Sequence, residues 1–144
     1  MRRPGFHFAY LLFAALACFS FHQHATAADP GRSIIPQLQQ RFGLSEAQVR
    51  GSLGALLVYL RERLPKPQFD EVSRSIPNAD EIIRDTYRRG IVSGPLDDIA
   101  EYEAALSRLG IGQPLASQFA PAVVEYLNAA GFQREGNILA SAMN

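Results

Sequence analysis

The side chains best suited to covalent or metal chemistry are gathered at one end of this chain. Its single cysteine, Cys18, and its three histidines, His7, His22 and His24, all precede residue 25. Beyond them there is no thiolate or imidazole to serve as nucleophile, general base or metal ligand. Carboxylates, arginines and tyrosines remain. Asp97 and Asp98 are adjacent in sequence, and neighbours one residue apart on a helix do not face each other. They read as a solvated first turn, where the helix dipole favours negative charge, and Asp80 and Glu81 read the same way. Arg84, Arg88 and Arg89 would make a phosphate cradle if they stood alone. Asp80, Glu81 and Asp85 interleave with them, so the pattern is that of a surface ion-pair lattice.

Tyr59 and Tyr126 are the more informative pair, because each sits on an otherwise apolar stretch. A buried tyrosine lies along a core with its tip in water or finds its hydroxyl a partner. If both turned toward one cleft, they would give a mostly apolar wall with two hydroxyls. Such a wall suits a small apolar ligand, or an amphipathic helix from a partner.

The elements that would position these residues begin after a leader. Arg2 and Arg3 precede an uncharged apolar run over residues 8–21, and Ala25-Thr26-Ala27 supplies small residues for a signal peptidase. The run is short for a membrane span, which needs about 20 apolar residues. We expect a signal peptide over residues 1–27, cut between Ala27 and Ala28. Lipidation at Cys18 is the weaker alternative, because Leu16 stands where a small residue is wanted. Residues 28–144 then form one domain of 117 residues. Arg2 and Arg3 would leave with the leader, turning the even balance of 14 basic and 14 acidic residues into a net charge of −2. That balance gives no basic patch of nucleic-acid type. With no cysteine left to pair, packing alone must hold the domain in an oxidising compartment.

The stretch over residues 45–64 reads as a central helix. Ser45 and Gln48 fit a capping box. Val49, Leu53, Leu57, Leu60 and Leu64 form one stripe, and Ala47, Gly51, Gly54 and Val58 form a second stripe of small residues. A helix apolar on two sides has neighbours on both. A short helix precedes it over residues 33–42. Helices over residues 66–76 and 78–89 follow, the second capped by Asn78 with Glu81 at the box position. Residues 91–95 read as a linker. An amphipathic helix over 96–109 places Ile99, Tyr102, Leu106 and Leu109 on one face. A second strongly apolar helix over 114–130 carries Pro121 in its interior, which predicts a kink. A last short helix covers 133–143. No stretch has a convincing strand pattern, so the fold expected is an all-α compact bundle of about six helices.

The two apolar helices look alike at an offset of 67 residues, Ala55 to Leu60 against Ala122 to Leu127. Phe42-Gly43-Leu44 matches Leu109-Gly110-Ile111 at the same offset. Such a repeat would build the bundle from two helical hairpins about a pseudo-twofold axis.

Several of these marks also carry a family resemblance. They are Gly43-Leu44-Ser45, the small stripe with Gly51 and Gly54, Ile76-Pro77, Leu109-Gly110-Ile111 and Phe119-Ala120-Pro121. The chain resembles the bacterial family of unknown function VcgC/VcgE over residues 43–83 and 106–142, with residues 84–95 fitting least well. The resemblance implies a secreted, all-helical bacterial protein. It implies no activity and supplies no catalytic residue. The functional expectation is a periplasmic protein that is not an enzyme, uses no cofactor and acts by binding an envelope protein partner. The alternative is a carrier of a small apolar ligand in a cleft between the two apolar helices.

Overall fold

A computed structural model of the protein describes residues 33–144. The expected leader, with Cys18 and the Ala27–Ala28 junction, lies outside the described residues. Among the described residues there are seven helices, where about six were expected, and no strand: α1 (Ile34–Phe42), α2 (Glu46–Arg63), α3 (Lys66–Ser75), α4 (Ala79–Arg88), α5 (Ile99–Arg108), α6 (Gln113–Ala129) and α7 (Gln133–Ala142).

The start of α2 is fixed as its sequence predicts. Ser45 Oγ accepts from the Gln48 backbone N–H at 3.2 Å, and the Ser45 N–H donates to Gln48 Oε1 at 3.0 Å. Gln48 Nε2 also donates to the Leu109 carbonyl at 3.0 Å, tying this helix start to the end of α5. Ser45→Ala should cost about 1 kcal/mol in a urea melt, the usual worth of such a cap. Every residue from Gly51 to Leu60 is buried. Helices α1, α3, α4, α5 and α7 all pack on α2, which accounts for its lack of a polar face.

Helices α1 and α5 each touch both α2 and α6, so they bridge the two apolar helices. Aromatic pairs mark two of these seams. Phe42 stacks on Phe119 with ring centroids 6.0 Å apart, and Tyr59 meets Tyr102 at 5.8 Å. The helix boundaries follow the internal offset as well. Moved by 67 positions, α3 (Lys66–Ser75) coincides end for end with α7 (Gln133–Ala142), and α2 starts where α6 starts.

Several local expectations are corrected. Asn78 does sit at the N-cap of α4, but at φ 61° its side chain makes no capping bond. Asparagine tolerates this left-handed geometry, and the turn after Pro77 uses it to reverse the chain. Helix α5 begins at Ile99, with Asp98 as its N-cap accepting from the Glu101 N–H at 2.8 Å. Ile99 therefore falls in the first turn and is 42% exposed, outside the buried face. The supposed linker is partly core, since Ile91 and Val92 are buried. A Gly90 turn at φ 68° brings them in, the Ile91 N–H reaching back to the Thr86 carbonyl at 3.1 Å. As expected, Pro121 lies inside α6 and does not end it, on the exposed side with Ser117. The Ser117 carbonyl loses its intrahelical donor there, at an exposed residue where water can take the donor's place.

Candidate functional site

Tyr59 lies in the core on α2, only 2% exposed, and its ring is covered on one side by Tyr102 of α5. The Arg63 guanidinium stands 5.7 Å from the same ring. Tyr126 is buried on α6, and that burial raises its phenol above the ordinary tyrosine range. Helices α1 and α5 stand between the helices that carry the two tyrosines. Sequence reasoning placed Tyr102 on a buried face but missed its pairing with Tyr59. Its hydroxyl has no hydrogen-bond partner among the described residues. Loss of hydration pushes this phenol far up, and the nearby Glu103 charge adds to the shift.

The arginines of α4 behave largely as the sequence predicts. Arg88 and Arg89 pair with Asp85 at 3.1 and 3.7 Å, and Glu81 pairs with Arg50 of α2 at 3.3 Å. Arg84 joins no ion pair among the described residues. On the far side, Arg41 of α1 binds Glu125 of α6, and its guanidinium holds that carboxyl below its usual range. Both groups are exposed, so the pair adds little to stability. No group of acidic side chains suited to a metal ion occurs among the described residues.

A groove of about 720 Å³ runs between the α2–α3 turn and α7. Pro65 breaks the chain after α2, and α3 starts at once in a new direction. The turn contributes Arg63, Leu64, Pro65 and Gln68 to one wall. Helix α7 contributes Arg134, Asn137, Ile138, Ser141 and Ala142 to the other. Small residues at the end of α7 leave the furrow open. A second groove, of about 310 Å³, is lined by Glu71, Arg74 and Ser75 of α3 and by Phe132 and Glu135. Between the two, Arg134 pairs with Glu71, its Nη2 donating to Oε1 at 3.2 Å and its Nε standing 3.0 Å from Oε2. This pair links α3 to α7, and because Arg134 is largely exposed it marks their register more than it adds stability.

A family model described as a protein of unknown function VcgC/VcgE matches residues 19–144. The chain belongs to this family. The VcgC/VcgE match includes the middle segment that resembled the family least, residues 84–95. No curated protein and no solved structure matches the chain. Membership in the VcgC/VcgE family brings no assigned activity with it, so functional argument rests on the grooves, the tyrosines and the charges described above. No helix among the described residues is long and apolar enough to cross a membrane.

Proposed function

We propose that this VcgC/VcgE protein is a non-enzymatic periplasmic binding protein that docks an envelope protein partner on its α3–α7 face. The groove of about 720 Å³ carries the reading. Half-buried Leu64, Ile138 and Ala142 make its apolar floor, and exposed Arg63, Pro65, Gln68 and Arg134 stand on its rim. An apolar centre with a polar rim is how protein surfaces recognise one another. Carriage of a small apolar ligand between the two apolar helices has less support. The Tyr59 ring, which was to line that cleft, packs on Tyr102 instead, and α1 and α5 bridge α2 and α6.

A photo-crosslinking residue at Gln68 or Asn137, both exposed, tests the proposal in the native host. One adduct of defined mass is expected, and Ile138→Asp should abolish it. Ile138 is only half-buried, so the substitution should leave the fold in place. Failure to form an adduct, an adduct indifferent to Ile138→Asp, or turnover of a substrate by the purified protein would overturn the reading.

A further inference from the structure

We infer that the partner of this face is a second copy of the same chain, joined about a twofold axis. The inference names the occupant of the groove and so rests on the binding reading above. It starts from the symmetry of the two grooves. All five residues lining the smaller one, Glu71, Arg74, Ser75, Phe132 and Glu135, become residues of the larger one when moved by the 67-residue offset. The larger groove joins the start of α3 to the end of α7, and the smaller joins the start of α7 to the end of α3. The two helices therefore run antiparallel. A pseudo-twofold axis that exchanges an antiparallel pair stands perpendicular to the face the pair presents. Both grooves then open on that same face, one at each end of the pair, with the Arg134–Glu71 ion pair between them.

Their characters are opposite. The larger groove holds no carboxylate, and Arg63 on its rim has no ion-pair partner among the described residues. The smaller groove carries Glu71 and Glu135, and Glu135 has no ion-pair partner among them either. Beside Glu135 stands Phe132, 38% exposed, a large apolar side chain in contact with water. Arg74 is the one cation lining this groove, and its Nε is turned back to the Asp70 carbonyl at 2.8 Å.

An axis lying in the face, midway between the grooves, sets the larger groove of each copy against the smaller groove of the other. Phe132 of one copy then meets Pro65 and Ile138 of the second, and Glu135 meets Arg63. Both contacts occur twice, and two copies close the assembly with no open end. The face is small, because helices of ten residues are only about 15 Å long. It falls short of the roughly 800 Å² per partner typical of stable complexes, so the dimer is weak and concentration-dependent.

Sedimentation velocity on the protein as its host exports it, over roughly 10–500 μM, reads this equilibrium. Arg63→Glu and Glu135→Arg should each weaken association by about tenfold, because each places like charges across both contacts. Both changes in one chain reverse both partners of each contact and should restore the dimer. Circular dichroism confirms that each variant is folded. A monomer across the whole range, single variants without effect, or a double variant that fails to recover overturns the inference. If the chain stays monomeric while the Gln68 crosslinker captures a different envelope protein, self-association falls and the binding reading stands. If no adduct forms at all, both fall.

Discussion

Gly54→Ala should destabilise the protein, even though alanine favours a helix interior over glycine by about 1 kcal/mol. A Cβ at Gly54 would lie 1.8 Å from Thr86 Oγ1, 2.9 Å from Thr86 Cβ and 3.1 Å from the Ile82 carbonyl oxygen. Those atoms cannot step aside cheaply. The Thr86 hydroxyl is buried and donates to that same Ile82 carbonyl at 2.8 Å, and the carbonyl belongs to the helix itself. Relief requires α4 to move away from α2, opening the seam along its length. The expected loss is about 1–3 kcal/mol for alanine and at least the upper end of that range for Gly54→Leu. Gly51 is the control. A Cβ there meets only the far ends of Ile91 and Leu109, at 2.8–3.0 Å, and those side chains can rotate. Gly51→Ala should therefore cost less than Gly54→Ala in the same denaturant melt. Thr86→Ala should recover part of the Gly54→Ala loss in a double-mutant cycle, since it removes the nearest atom. A Gly54→Ala protein more stable than the parent would sink the close-crossing account of α2 and α4.

This seam also shows what was legible in the sequence. The small stripe on α2 declared that something comes close, and its capping box fixed where the helix begins. Nothing local named Thr86, a polar residue on a separate helix, as the neighbour. Ala47 fits the stripe by spacing yet is exposed, because it lies in the first turn of α2, before the continuous buried run that starts at Gly51. Ile91 and Val92 lie between Gly90 and Pro95, where turn chemistry reads as a linker, and only tertiary packing shows them buried. The grooves were the least legible feature. They form where helix ends meet, and helix ends carry no apolar periodicity. Ile138 is half-buried and forms part of a groove wall. The internal offset aligns the break at Pro65 with Phe132, one residue of each groove. Tyr59 and Tyr126 stood out through composition, whereas the covering residue, Tyr102, came from a different part of the chain.

Tyr102 sets up the second large expected effect. Tyr102→Ala should cost about 3–5 kcal/mol, the usual loss when a fully buried aromatic ring is cut back. Tyr102→Phe keeps the ring against Tyr59 and removes only a buried hydroxyl that has no partner among the described residues. That hydroxyl gives up its hydration on folding, so its removal should be neutral or gain about 1 kcal/mol at neutral pH. The parent should also carry an alkaline liability that the phenylalanine variant lacks. Burial raises the folded-state pKa of Tyr102 above the ordinary 10.0. Below pH 10 the phenol is protonated in both states, and its contribution to stability is fully present. Above pH 10 it ionises in the unfolded chain first, while the folded chain still holds its proton. Unfolding then releases a proton, and the parent loses about 1.4 kcal/mol per pH unit until the folded-state pKa is reached. Tyr126, also raised by burial, titrates in both proteins and largely cancels from their difference. Urea melts at neutral pH and at steps above pH 10 should therefore show Tyr102→Phe pulling ahead of the parent as pH rises. Curves that stay parallel, or a phenylalanine variant clearly less stable at neutral pH, would show that the hydroxyl is hydrated or bonded in the folded protein.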